Sequence, residues 1–193
     1  MIHFRFSPAL LLAVLVCGGA AQAAETYKVD PVHSMLLFRI RHLDAGYVYG
    51  RFNGPTGTFT LDAQDPAKSS FNVEVPAKNI DTANPKRDDH LRSPDFFNAE
   101  QFPTLTFKST SVKKVDDKHY EVSGDLTVHG QTKPITVKLE QVGQVQDRRG
   151  GTRTGFHGIF EIKRSDFGIT FMPEGLGENV QIIVAFEGVS ANR

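Results

Sequence analysis

The sequence predicts a single all-β domain, built as a sandwich or as a closed barrel of about eight antiparallel strands. Short runs in which apolar and polar residues alternate fill most of the chain after residue 24. Gly, Pro, Asn and Asp interrupt these runs at a spacing that is typical of antiparallel strands. Phe and Gly often share one face of a predicted strand, which favours a barrel because Gly relieves crowding where strands bend.

The first 23 residues have the pattern of a secretory signal peptide. Arg5 and the N-terminal amine precede an unbroken apolar run at 9–16, and residues 21–23 supply an A-x-A cleavage signal. The apolar run is too short to span a membrane as a helix. We therefore expect residues 1–23 to be removed and residues 24–193 to form one exported domain.

The composition of the remaining chain excludes several classes of protein. Cys17 is the sole cysteine and lies within the signal peptide, after Val16 and not after the small residue that lipidation of Cys17 would need. The domain therefore has neither disulfides nor thiolate chemistry. Its formal net charge of −1 argues against a nucleic-acid binder. No other stretch approaches ~18 apolar residues, so we expect no membrane span.

Four strands are predicted before residue 76, because apolar residues recur there at every second position. In the first strand, Phe38, Ile40 and His42 share one face, and Arg39 and Arg41 lie on the other. The four strands cover residues 34–42, 50–52, 57–61 and 71–75.

Between residues 76 and 103 the alternation stops. Asn84 followed by Pro85 has the pattern of a helix N-cap and a proline in the first turn, so a short helical excursion is predicted around 84–98. Alternation then resumes, and a polar loop is expected at 144–153. The later strands cover residues 105–109, 120–128, 135–139, 156–162 and 180–186.

Many of the large aromatic side chains lie on the apolar face of the predicted strands. Of 15 Phe residues, eight lie on the apolar face of a predicted strand. This pattern is compatible with a solid core and with a hollow barrel that encloses one small ligand, and periodicity alone does not separate the two. The eight are Phe38, Phe52, Phe59, Phe71, Phe107, Phe156, Phe160 and Phe186.

Polar residues that could serve a site are few. His42 shares the apolar face of its strand, as a core histidine or as a polar group at a cavity mouth. Arg87, His90 and Arg92 belong either to a salt-bridged helix or to a site for the anionic or carbonyl head of a ligand, which guanidinium suits. Arg164 is predicted to pair with Asp166.

Enzyme motifs are missing from the sequence. The domain has no G-x-S-x-G, phosphate-loop, H-E-x-x-H or G-x-G-x-x-G pattern. Its six histidines are scattered singly, without the spacing of metal ligands. We expect no catalytic residue, no cofactor and no metal.

Ordered motifs along nearly the whole domain carry a resemblance to a known family. They lie at residues 27–30, 32–34, 38–43, 50–52, 57–59, 80–82, 87–88, 90–93, 95–97, 103, 107–109, 124–130, 132–134 and 164–168, and in the last predicted strand. With these motifs the chain strongly resembles the YceI-like family of bacterial polyisoprenoid-binding proteins. It departs from the family pattern at 45–49, where two Tyr stand in place of small residues and Ser or Thr.

The resemblance implies an extended, eight-stranded, lipocalin-like barrel with a long apolar channel. Its ligand would be a polyprenyl lipid, an isoprenoid quinone or a similar amphiphile, and the protein would be periplasmic or secreted, often as a homodimer. The ligand's head group would lie near His42, Arg87, His90 or Arg92. The expected channel lining is Phe38, Ile40, Phe52, Phe59, Phe71, Phe107, Leu126, Phe156, Phe160, Ile162, Val184 and Phe186.

Three other functions remain open on the sequence. The same channel would suit a scavenger that sequesters lipophilic toxins or antibiotics outside the cell. An enzyme acting on lipid head groups has no nucleophile and base motif in its favour. A filled barrel with a purely structural role is the third.

Overall fold

The computed structural model describes residues 24–146, 148 and 150–190, so the predicted signal peptide lies outside the described residues. The described chain is mostly antiparallel strand, with one α-helix, α1 (Pro85–Arg92). The strands are β1 (Glu25–Val29), β2 (Met35–His42), β3 (Gly46–Asn53), β4 (Thr56–Leu61), β5 (Ser70–Pro76), β6 (Ile80–Asp81), β7 (Thr104–Lys114), β8 (His119–Val128), β9 (Gln131–Gln146), β10 (Thr152–Lys163) and β11 (Leu176–Ser190). Short 3₁₀ turns occupy Pro66–Lys68, Ala77–Asn79 and Arg164–Phe167.

Eight of these strands close into a ring. The hydrogen-bonded order is β1-β4-β5-β7-β8-β9-β10-β11, and β11 pairs with β1 to complete the circuit. This confirms the predicted eight-stranded antiparallel barrel. Closure leaves no exposed edge within the ring, which removes the usual route to edge-to-edge aggregation.

Three further strands extend the wall beyond the ring. β11 is long enough for its last residues to pair with β1 while Leu176–Ala185 pairs with β2. β2 then pairs with β3, and β3 pairs with the two-residue strand β6 at Arg51 and Phe52. The ribbon of β2 and β3 therefore lengthens the barrel at one end, where α1 and the turns after it lie against the ribbon.

A charged cluster holds the chain where it passes from β1 to β2 along β11. The backbone N–H of Asp30 donates to the carbonyl oxygen of Glu187 at 2.8 Å. Arg153 donates through Nη1 to the carboxylates of both Asp30 and Glu187, at 2.8 and 2.7 Å. Partial burial alone would raise the pKa of Asp30, but hydrogen bonds from Arg153, the His33 ring and the Val32 N–H outweigh it and hold the pKa below its ordinary value.

Acid is therefore expected to weaken the fold partly through Asp30. A carboxylate whose pKa is lower in the folded protein stabilises it above the unfolded pKa of roughly 4, and this contribution is lost as the pH falls toward the folded value. The Tm difference between the wild-type protein and Asp30→Asn should be largest near pH ~5 and should narrow by pH ~3. Thermal melts across this range test it, with the exposed Asp117→Asn as control. If the Tm of Asp30→Asn differed from that of the wild-type protein by the same amount at both pH values, this prediction would be contradicted.

The end of the barrel distant from α1 is filled by aromatic rings. Phe59 stacks on Tyr27 with ring centroids 4.9 Å apart, and it meets Phe156 edge-to-face at 5.5 Å. Phe156 in turn stacks on Phe186 at 5.5 Å. Gly188 lies beneath Phe59, where a Cβ atom would come within 2.4 Å of the ring. This end of the barrel therefore contains a packed aromatic core, which we call the solid end.

Element boundaries differ from the sequence prediction where both faces of a strand meet solvent. The predicted polar loop at 144–153 is shorter, because β9 continues to Gln146 and β10 begins at Thr152. Val142 and Val145 are exposed in this projecting hairpin, so no apolar face marks it as strand. The predicted helix was correct: the Asn84 side chain accepts a hydrogen bond from the Arg87 N–H, and Pro85 is the first helical residue.

Among the described residues, no helix is both long enough and apolar enough to cross a membrane. The one α-helix there has eight residues and is strongly polar.

Candidate functional site

The other end of the barrel is hollow. A cavity of about 430 Å³ lies between the β2–β3 ribbon, the barrel wall, α1 and the loop at 168–176. Its volume falls within the range of ligand sites, and its lining is dominated by aliphatic and aromatic side chains. The lining residues are Leu36, Phe38, Ile40, His42, Val48, Phe52, Arg87, His90, Leu91, Phe96, Phe97, Leu105, Leu126, Val128, Phe160, Ile162, Arg164, Phe167, Ile169, Phe171, Met172, Leu176, Val180 and Ile182.

A smaller cavity of about 110 Å³ continues toward the solid end. Leu36, Leu105, Leu126 and Phe160 belong to the walls of both cavities, so the two meet at these side chains. We refer to the two adjoining cavities together as the apolar passage. The smaller cavity is further lined by Met35, Pro55, Phe71, Val73, Glu74, Val75, Thr106, Phe107, Val122, Ile135, Val137, Leu139, Val184 and Phe186.

The mouth of the larger cavity is marked by the lining residues that are most exposed. They are Arg87 and His90 on α1, together with Phe171 and Met172 on the loop before β11. Two basic or titratable side chains thus face two apolar ones across the opening. Such an arrangement suits an amphiphile whose polar end remains near water.

α1 is fastened so that Arg87 lies at this mouth. The buried Asp88 carboxylate accepts hydrogen bonds from the N–H and hydroxyl of Thr82. Arg87 donates through Nε to the Thr82 hydroxyl at 2.7 Å and through Nη2 to the Thr82 carbonyl at 2.6 Å. Among the described residues, no protein group accepts from its Nη1. The guanidinium is therefore held in place with donor capacity left over.

The two histidines at the cavity differ in their surroundings. His90 lies 2.9 Å from the carboxylate of Asp95 through Nε2, and its ring makes edge contacts with Phe96 and Phe171 at 5.0 and 5.2 Å. His42 is half-buried at the end of β2, and no described residue forms a hydrogen bond with its ring. His42 is thus a polar group in an otherwise apolar wall, which leaves its ring available to a ligand.

Arg164 fixes the loop on the other side of the mouth. Its side chain is buried and donates to the carbonyl oxygens of Ile169 at 3.0 Å and of Phe171 at 2.7 Å through Nη1. Nε donates to the carbonyl of Gly177 at 3.0 Å, and Nη2 to that of Leu176 at 3.2 Å. The predicted pair with Asp166 was wrong, because backbone carbonyls take the donors of this guanidinium.

Most of the residues that we predicted as channel lining border one of the two cavities. The larger cavity has Phe38, Ile40, Phe52 and Ile162, and the smaller has Phe71, Phe107, Val184 and Phe186, while Leu126 and Phe160 border both. Phe59 and Phe156 border neither, since both lie in the aromatic core at the solid end. Among the predicted head-group residues, His42, Arg87 and His90 line the larger cavity.

Arg92 lies outside the walls of both cavities. It donates through Nε to the Lys78 carbonyl at 2.9 Å and through Nη2 to the Ile80 carbonyl at 3.2 Å, and it pairs with Asp89. Arg87 and Arg92 are five positions apart, which separates their directions by about 140° around a helix. Helical spacing therefore contained the signal that these two arginines face different ways.

Several lining residues were missed from the sequence because they lie in irregular segments. Phe171 and Met172 belong to a loop without periodicity, and Leu91 lies on a helix with hardly any apolar face. The one available signal was an apolar pair, Phe171-Met172, within an otherwise polar and Gly-containing stretch. Val48 was missed because the short pattern at 45–49 was not assigned to a strand.

One cluster outside the cavity has the chemistry of a metal site. Asp30, His33 and Glu187 each offer a ligand atom within 4.8 Å of the others. The Arg153 guanidinium already donates to both carboxylates, so a positive group stands where a cation would bind. The cluster therefore carries a structural ion pair in this structure.

Comparison with known proteins agrees with this geometry. Residues 27–188 match the YceI-like domain family. "Protein YceI" of Salmonella newport (strain SL254) is 41% identical over 181 residues, covering 93% of this chain and 94% of that protein.

Solved structures share the fold. BcnA of Burkholderia cenocepacia superposes with a TM-score of 0.75 at 21% identity, covering 82% of this chain and 98% of that one. The YceI protein of Campylobacter jejuni gives 0.67 at 27% identity, covering 79% and 90%. A polyisoprenoid binding domain from Saccharophagus degradans gives 0.66 at 13% identity, covering 86% and 98%. With a family match across most of its length and a relative at 41% identity over nearly all of it, this hollow barrel belongs to the YceI-like family.

Proposed function

We propose that the chain binds a polyisoprenoid or isoprenoid-quinone-type amphiphile in its apolar passage, for transport, storage or sequestration without catalysis. The observation that carries the proposal is the cavity of about 430 Å³ with an apolar wall and a mouth bearing Arg87 and His90. The naming of a structural neighbour as a polyisoprenoid binding domain supports the ligand class. We also propose that residues 1–23 export the protein to the periplasm or beyond it.

The tail and the head of such a ligand are expected to contribute different amounts of binding free energy. Each buried CH₂ contributes roughly 0.8 kcal/mol, so ten buried carbons contribute about 8 kcal/mol before the cost of association. A charge-assisted hydrogen bond at the head contributes about 1.5–3 kcal/mol. Affinity should therefore follow the length of the buried tail, and the head should set the ligand's orientation.

The composition of the cavity wall favours binding over turnover. Among the described residues that line the larger cavity, none carries a carboxylate or hydroxyl group; the Asp95 carboxylate hydrogen-bonds to His90 from outside this wall, and Glu74 and Thr106 border only the smaller cavity. General acid–base and nucleophilic mechanisms need such partners within hydrogen-bond reach. The largely apolar wall therefore supports binding of a lipid more than its chemical conversion.

Native mass spectrometry before and after organic extraction tests the ligand class. We expect a co-purifying mass in the range of prenyl lipids, and we expect the extracted protein to bind an added isoprenoid quinone. Protein that carries no lipid and also ignores both a polyprenyl monophosphate and an isoprenoid quinone would refute the proposal.

The head-group assignment is tested by Arg87→Gln. Affinity for a polyprenyl monophosphate should fall about tenfold or more, because a charge-assisted hydrogen bond is lost, while affinity for a neutral prenylated quinone should stay within about twofold. Lys86→Gln is the matched control on the same helix, since Lys86 is exposed and outside the cavity wall. Equal losses for both ligands, or none, would place the head group elsewhere.

A further inference from the structure

One side of the mouth of the larger cavity carries an exposed apolar tip, which we define as Leu43, Phe171 and Met172. Leu43 is 58% exposed, and the other two are 39% exposed. The Leu43 N–H donates to the carbonyl of Gly175 at 2.8 Å, and the Met172 side chain lies directly over Gly175. Phe171 packs against His90 with ring centroids 5.2 Å apart. Two separate loops thus present their apolar side chains at one place.

Both loops contain residues with a left-handed backbone. Leu43, Asp44 and Met172 have φ angles of 50°, 51° and 54°, in the left-handed region that large side chains rarely adopt. Such strain persists only where the surroundings impose it, and it clusters at functional sites. On the Met172 loop, the buried Arg164 donates to carbonyls on both sides of that residue. Leu43 and Asp44 belong instead to the β2–β3 turn, which the hydrogen bond from the Ala45 N–H to the His42 carbonyl closes.

A polar and aromatic band lies beside the tip on the outer face of the β2–β3 ribbon. Arg39 stands opposite Tyr49, and Arg41 stands opposite Tyr47. The Arg39 guanidinium lies 4.6 Å from the centre of the Tyr47 ring. Both tyrosines are exposed. Tyrosine and arginine are the side chains that suit the headgroup layer of a bilayer, where an amphipathic ring and a phosphate partner are both available.

Charge does not dominate this surface. Asp44 pairs with Arg41 at 3.3 Å, and Glu174 is exposed on the same loop as Met172. The two arginines of the band are thus balanced by two acids. Attraction to anionic lipid is therefore a minor contribution, and insertion of the apolar tip is the main one.

We propose that the tip docks on the surface of a phospholipid bilayer, with Leu43, Phe171 and Met172 among the acyl chains and the tyrosine–arginine band at the headgroups. The cavity mouth would then open onto the lipid, and an isoprenoid would move between bilayer and barrel without crossing water. The inference rests on the proposed function. Three side chains provide far less than the roughly 800 Å² per partner that a stable protein interface buries, so a bilayer suits the tip better than a second copy of the chain.

Leu43→Asp tests the docking without altering the cavity, because Leu43 lies outside the cavity walls and Asp tolerates the left-handed backbone there. Extracted protein is floated with phosphatidylcholine vesicles, and the rate at which a fluorescent prenylated quinone leaves those vesicles for the protein is measured. We expect Leu43→Asp to lower both by about tenfold or more, with equilibrium binding of vesicle-free quinone unchanged. Val142→Asp is the matched control, since Val142 is 63% exposed on the distant β9–β10 hairpin.

The outcomes separate docking from ligand binding. Quinone binding without flotation of the wild-type protein overturns the docking and leaves the proposed function standing. Flotation that depends on Leu43 without quinone binding supports the docking and overturns the proposed function. Flotation only with anionic vesicles at low salt, or a dimer that Leu43→Asp converts to monomers, would also overturn the bilayer as the occupant of the tip.

Discussion

Phe160→Asp is expected to lower the affinity for an isoprenoid quinone by at least about a hundredfold while the protein remains folded. Phe160 lies on β10 where the two cavities meet, in contact with the passage on both sides. An ionised carboxylate there would draw in water or remain unpaired in an apolar wall, and either state opposes burial of a prenyl tail. Phe160 is only partly buried and packs against the edge of both apolar clusters, so the substitution should lower the stability without removing a fully buried core residue.

The neighbouring residue provides a matched control. Ile159 points outward from the same strand and is 52% exposed, so Ile159→Asp adds the same charge on the solvent side of the wall. Quinone titration with circular-dichroism melts should show full affinity for Ile159→Asp and near-wild-type affinity for Phe160→Leu. Unchanged affinity in folded Phe160→Asp would refute the passage as the ligand site.

The sequence predicted which side chains point into the barrel. It did not predict whether an inward side chain lies in the packed core or borders a cavity. Period-two alternation placed Phe59 and Phe160 alike on the inner face of the barrel. Phe59 lies in a stack of rings, whereas Phe160 borders open space. Which of the two occurs depends on how far along the barrel axis a residue lies, and this follows from strand register and closure. A single strand contains no such information.

The mouth was harder to predict than the wall because it is built from irregular segments. The sequence pattern at Asn84 predicted the helix N-cap, and Arg87 accordingly lies in the first turn of α1. The loop that carries Phe171 has no period, and its position depends on the donors of Arg164. From the sequence, Arg164 was paired with the acid nearest along the chain. In the structure, the Arg164 guanidinium donates instead to backbone carbonyls, which come together only when the chain has folded.

Arg164→Met is expected to destabilise the protein by about 3–5 kcal/mol, the usual cost of removing one partner from a buried charged network. Methionine replaces the length of the side chain but none of its donors, so the carbonyls of Ile169, Phe171 and Leu176 lose their common partner. The Tm should fall by roughly 10 °C for a domain of this size.

The same substitution should release the loop at the cavity mouth, which separates a local role of Arg164 from a general loss of stability. Phe171 would no longer be held against His90, so hydrogen exchange at 169–176 should rise well before global unfolding. Quinone should leave the protein faster, at temperatures where Arg164→Met is still folded. Lys163→Met, an exposed change at the adjacent position, should alter neither Tm nor exchange. A Tm within a few degrees of the wild type, or exchange confined to global unfolding, would show that other contacts hold this loop. Because Phe171 and Met172 form both the rim of the cavity and most of the exposed tip, Arg164→Met should alter both the release of quinone and the flotation of the protein with vesicles.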